Sequence, residues 1–135
     1  MHRLRPLPAV ALAAALVTVS PLAAAAEAYL ISPQDGETVS SPFTVRFGLR
    51  GMGVAPAGIE MPGTGHHHLI IDAPLPAAGA PVPFDDRHKH FGKGQTETEL
   101  SLPPGEHTLQ LILGDHTHVP HDPPVASKQI RIRVR

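Results

Sequence analysis

Sixteen prolines and twelve glycines cut the sequence into short apolar runs. Whatever folds here must therefore be built from short elements joined by turns. The punctuation is scattered between apolar runs rather than pooled, which suits a loop-rich β domain better than disorder. Phe43, Val45, Phe47 and Leu49 alternate with Thr44, Arg46 and Gly48, the period of two that marks a half-buried strand. Ala28 to Ser32 reads as a shorter strand before it, stopped by Pro33 and the turn pair Asp35-Gly36. Arg50 to Gly65 is a Gly-, Pro- and Ala-rich loop. His66 to Ala73 is the next strand, and its Leu69-Ile70-Ile71 run predicts cover on both faces.

Further on, Val82 to Phe84 reads as a short edge strand and Asp85 to Gly94 as a charged loop. Thr96 to Leu102 and His107 to Leu113 are expected to form a hairpin joined by Pro103-Pro104-Gly105-Glu106. Gly114 to Pro124 is a histidine-bearing loop, and Lys128 to Val134 is a last strand with Ile130, Ile132 and Val134 inward. Helical periodicity, internal repeats and coiled segments are all missing from the pattern. The expected fold is all-β, an immunoglobulin-like antiparallel β-sandwich of about seven strands.

The first 26 residues read as an export signal. His2, Arg3 and Arg5 are basic, Leu7 to Val19 is apolar apart from Pro8 and Thr18, and Ala24-Ala25-Ala26 is a small-residue cleavage site. Cleavage is expected before Glu27, with Tyr29 as the alternative. The apolar stretch falls short of the roughly 20 residues of a membrane span. Residues 27–135 then form a single domain, exported to the periplasm or secreted. Without Arg3 and Arg5 the eleven Lys plus Arg become nine, against twelve Asp plus Glu, a formal charge of −3 that disfavours nucleic acid. With no cysteine there is neither a disulfide nor a thiolate ligand.

Eight of the ten histidines fall into three groups: His66, His67 and His68; His88 and His90; His116, His118 and His121. If His66 to Ala73 pairs antiparallel with His107 to Leu113, all three groups meet at one end of the domain. Each group contains a His-x-His. On a strand, residues i and i+2 share a side with Cα atoms about 6.6 Å apart, a span that two imidazoles close onto one metal ion. His66, His68, His88, His90, His116, His118 and His121 are the candidate metal ligands, while His67 points to the opposite side. Asp72, Asp115 and Asp122 are candidates to orient ligand imidazoles by hydrogen bonding. His107, next to Gly105-Glu106 at a sandwich corner, reads as structural.

Imidazoles without thiolate suit copper, zinc or nickel. Copper comes first, because Met52 and Met61 in the preceding loop could help hold Cu(I), and zinc second. Ligating imidazoles must be neutral, so affinity is expected to fall below roughly pH 6.5. The leading function is a metal-binding module for carriage, buffering or sensing. The alternatives are a metal-dependent enzyme with an open histidine site and a metal-free module that binds an envelope partner. Nothing matches a nucleophilic triad: there is no G-x-S-x-G and no cysteine.

The chain resembles an uncharacterised bacterial exported family, domain of unknown function 4399. The resemblance is carried by Tyr29-Leu30-Ile31-Ser32-Pro33 with Asp35-Gly36, Phe47-Gly48-Leu49 with Gly51-Met52, and Gly65-His66-His67-His68-Leu69-Ile70-Ile71-Asp72. His90-Phe91-Gly92 with Gly94-Gln95-Thr96-Glu97, and Pro104-Gly105 through Gly114-Asp115-His116, complete it. It implies the domain limits and gives weight to these motifs, and it brings no activity.

Overall fold

The computed structural model describes residues 14–20 and 25–135. Most of the expected export signal, residues 1–13 and 21–24, lies outside the described residues. Nine strands follow: β1 (Glu27–Ser32), β2 (Thr38–Val39), β3 (Phe43–Arg50), β4 (Gly53–Val54), β5 (Thr64–Ile71), β6 (His88–His90), β7 (Glu97–Leu100), β8 (Gly105–Gly114) and β9 (Ile130–Val134). They make two sheets. One has the order β1-β3-β7, and the other the order β2-β9-β8-β5-β4, with β6 also paired to β5. Most pairings are antiparallel, whereas the two-residue strands β2 and β4 join β9 and β5 in parallel. No helix among the described residues is long and apolar enough to cross a membrane.

The alternation in β3 does what its period requires. Phe43, Val45 and Phe47 are buried, Thr44 and Arg46 are exposed, and the buried set packs against Leu69, Ile71, Leu109, Leu111, Ile132 and Val134 from the larger sheet. At about 25 cal/mol per Å² of apolar surface removed from water, this layer is the main stabilising term in a chain without disulfides. Gly48 has a steric role here. A Cβ at that position would stand 2.2 Å from the Tyr29 ring, which lies across it on β1. Arg50 places its guanidinium 4.5 Å from the centre of the same ring.

β5 is covered on both faces, as its apolar run predicts. Leu69 and Ile71 belong to the layer between the sheets, while Ile70 packs on the outer face with Val82 and Ile112 in a second, smaller core. Two segments make that outer cover. The chain after β8 folds back so that the Leu113 amide donates to the Val125 carbonyl and the Ser127 amide to Leu111, and Val82 is held by donation to the His118 carbonyl.

Three expectations change. Val82–Phe84 is not a strand: Val82 is a buried plug and Phe84 stands 84% exposed, while the segment read as a charged loop supplies β6. Strand β7 does not form a hairpin with β8, but pairs with β3 in the smaller sheet, Phe43 opposite Leu100 and Arg46 opposite Glu97. Pro103 and Pro104 carry no amide hydrogen to continue a ladder, and the chain uses them to cross from one sheet to the other. Among the described residues the strands number nine rather than about seven because two-residue pairings leave no trace in hydrophobic periodicity.

His107 is structural, as expected. Its Nδ1–H donates to Asp72 Oδ2 at 2.6 Å and its Nε2–H to the Pro103 carbonyl at 2.8 Å. Both partners are acceptors, so the ring carries both protons. Against the effect of burial, the Asp72 carboxylate raises its pKa. This latch ties the end of β5 to the start of β8.

Candidate metal centre

β5 pairs antiparallel with β8, placing His66 opposite Gly114 and His68 opposite Ile112, and with β6, placing His68 opposite His90. Strand alternation sends His66 and His68 to the outer face and His67 into the sandwich, where it lies 5.3 Å from the Phe47 ring. All three are fully buried. Gly114 makes room for them: a Cβ there would stand 2.5 Å from His68 Cε1 and 3.3 Å from the His118 backbone.

His118 arrives from a tight turn after β8. Asp115 Oδ1 accepts hydrogen bonds from the Thr117 amide, the Thr117 hydroxyl and the Val119 amide, and the Asp115 amide donates to the Val119 carbonyl. The turn closes with His118 at φ 66°, the left-handed conformation that a non-glycine residue takes up only when its surroundings hold it there. The ring is thereby brought back over the sheet to the two β5 histidines.

Four ring nitrogens converge as a result. His118 Nδ1 lies 3.0 Å from His66 Nε2, 3.3 Å from His68 Nε2 and 3.1 Å from His90 Nδ1. Within this set His66, His68 and His118 form the tight group, each offering a nitrogen within 4.8 Å of the others. Hydrogen bonding does not account for the arrangement. A ring nitrogen has one in-plane lone pair or one N–H, so Nδ1 of His118 satisfies one well-aligned neighbour and crowds the rest. His90 sharpens the conflict: its Nε2–H donates to the Pro83 carbonyl at 2.8 Å, which leaves a bare lone pair on the Nδ1 that faces His118. Fixing one tautomer through the remote nitrogen is how proteins orient metal-ligating imidazoles.

The three separations from His118 Nδ1 are close to those of a coordination shell. A tetrahedral ion with metal–nitrogen bonds of about 2.0–2.1 Å separates its ligand nitrogens by about 3.3–3.4 Å. The protonation states fit as well. Burial, then the neighbouring imidazoles His118 and His90, pushes the His66 pKa down to about 4. Burial, then His66, His90 and His118, pushes His68 down to about 3. His90 is lowered too, mainly by burial. His66 and His68 are therefore neutral well below pH 6.5, and the fall in affinity expected there does not come from these two.

The other candidates lie elsewhere. His88 sits one strand step beyond His90, opposite Ile70, and its Nδ1–H donates to Asp85 Oδ1 at 2.6 Å. His116 faces Glu60, 4.0 Å away, on the outer side of the turn. His121 approaches the Thr64 carbonyl through Nε2 at 3.3 Å and lies against Gly65, where a Cβ would stand 2.9 Å from its Cε1. Period-two spacing holds on β5 and on β6 but not in the 116–121 segment, which is a turn. On β6 it is register that separates the pair: His90 stands opposite His68, and His88 opposite Ile70, one place further from His66 and His118. Asp72 belongs to the His107 latch at the far end of β5. Asp115 orients His118 through the backbone rather than through its ring, and Asp122 makes no hydrogen bond to the four rings among the described residues. Met61 is 57% exposed and borders a separate cleft with His116 and His121.

Fold and site together define an all-β sandwich with a buried imidazole cluster on the outer face of its larger sheet. The chain belongs to the family described as Domain of unknown function (DUF4399), whose family model matches residues 45–135. That span contains every residue of the cluster. No curated protein and no solved structure matches the chain.

Proposed function

We propose that this protein is an exported, periplasmic metal-binding module that holds one transition-metal ion, copper first and zinc second, between His66, His68, His90 and His118, for carriage, buffering or sensing. One observation supports the reading above the rest: three imidazole nitrogens stand 3.0–3.3 Å from a fourth that can hydrogen-bond properly to only one of them. A cation at their centre turns that crowding into coordination. All four ligands are imidazoles, a donor set that copper and zinc both accept. Binding is favoured over hydrolysis because no carboxylate is hydrogen-bonded to the four rings among the described residues, leaving no positioned general base.

The test is metal analysis of untagged protein, followed by titration of the stripped protein with copper and zinc. One ion per chain is expected. His118→Ala, a change on a surface turn, is expected to weaken binding at least a hundredfold while the thermal transition of the stripped protein moves little. Stripped protein that binds neither ion in the micromolar range would leave the cluster without this role.

A further inference from the structure

The charge around the cluster is unusual for this chain. Two histidines elsewhere pair closely with carboxylates, His107 with Asp72 and His88 with Asp85, each at 2.6 Å. Among the described residues the cluster has no such hydrogen-bonded partner. His90 donates to a neutral carbonyl, and the outer nitrogens of His66 and His68, both Nδ1, are buried without a hydrogen-bond partner. The two carboxylates whose charge reaches the rings are Asp115, felt by His66, and Asp85, felt by His90. Both are engaged by other donors: Asp115 by Thr117 and Val119, Asp85 by His88 and the Arg87 amide. The other side of β5 sends Leu69 and Ile71 into the main core alongside His67, and beside the cluster lie Ile70, Val82 and Ile112.

The ligands themselves neutralise none of an ion's charge, because all four are neutral imidazoles. His66 and His68 are fully buried, and the cost of taking a charge out of water grows with the square of that charge, so a divalent ion meets about four times the penalty of a monovalent one. Carboxylate partners would also raise the basicity of the imidazoles and favour the harder, divalent ion, and here they are missing. Resting on the metal-binding reading above, we infer that the cluster is a site for monovalent copper, holding Cu(I) in preference to Cu(II) and Zn(II). Bound copper accordingly has a raised Cu(II)/Cu(I) potential. No methionine is needed for this preference, since a ligand shell without an anionic member supplies it.

Phe84 offers a way to test the charge argument without disturbing the core. It is 84% exposed and its ring lies 4.2 Å from that of His90. Phe84→Glu sets a carboxylate beside a ligand at the surface, and Phe84→Gln corrects for loss of the aromatic ring. Dissociation constants of untagged, stripped protein are measured for Cu(I) under anaerobic conditions with a competing chelator, and for Cu(II) and Zn(II) in air. The potential of the copper form is read by mediated titration. Cu(I) is expected to bind at least tenfold more tightly than either divalent ion. Relative to Phe84→Gln, Phe84→Glu is expected to narrow the Cu(I)/Cu(II) preference about tenfold, a fall of about 59 mV in potential. Tighter binding of Cu(II) or Zn(II) than of Cu(I), or equal preferences in the two variants, overturns this inference and leaves the metal site standing. Failure of all three ions to bind overturns both.

Discussion

His67 stands in the core of the sandwich with neither ring nitrogen hydrogen-bonded, and its replacement by leucine isolates what such a residue costs. The ring packs against Phe47 and is fully buried, and burial, then the neighbouring His66, pushes its pKa down to about 4. In the unfolded chain the same imidazole titrates near 6.5. Between those values the unfolded state takes up a proton that the folded state refuses. Stability is therefore fully present above about pH 6.5 and is lost as pH falls towards 4. Between pH 7 and pH 5 this one residue accounts for a loss of about 2 kcal/mol. His67→Leu, close in volume, removes that loss and also two buried polar atoms without partners, each a burden of about 1–3 kcal/mol at any pH. The variant is expected to be more stable than the parent by about 2–6 kcal/mol at pH 7, and by about 2 kcal/mol more than that at pH 5. Urea unfolding of metal-stripped protein at the two pH values measures both, and copper affinity at pH 7 should change less than threefold. A variant that is less stable than the parent at pH 7, or that loses as much stability on acidification, would refute the account of His67 as a buried, neutral, unpaired ring.

Gly114→Ala drives a Cβ to 2.5 Å from His68 Cε1, so it should weaken metal binding by at least tenfold and lower stability by about 1–3 kcal/mol, measured by competition titration and urea unfolding. Asp72→Ala strips the His107 imidazolium and the Thr108 amide of their acceptor and should destabilise the fold by about 1–3 kcal/mol. Because Asp72 sits at the other end of β5, metal affinity should not move, and a tenfold loss would return Asp72 to the site. Isothermal titration at pH 6 in buffers of different ionisation enthalpy should show no proton release from His66 or His68, which are already neutral there. His66→Ala and His68→Ala each change the number of released protons if that is wrong.

Alternation along a chain is a local property, and wherever local rules suffice the sequence predicts the structure closely. The alternating residues of β3 face the core, Ile70 turns away from Leu69 and Ile71, and His66 and His68 share a face while His67 takes the other. The pairing of β5 with β8 also follows from pattern, and with it the meeting of remote histidines. The partition of strands between sheets does not. β7 has the periodicity of a partner for β8, and the Pro103-Pro104 connection looks like a hairpin loop. Only the competition among long-range pairings places β7 against β3.

The choice among loop histidines is likewise tertiary. His116 and His118 have identical spacing credentials, and so do His88 and His90, yet one member of each pair reaches the cluster. The Asp115 turn and the left-handed backbone of His118 decide the first pair, and register against β5 with the Pro83 carbonyl decides the second. Residue type and spacing thus determined which side chains could bind a metal. Which of them meet depended on hydrogen bonds between segments far apart in the chain, and those form only when the whole sandwich has closed.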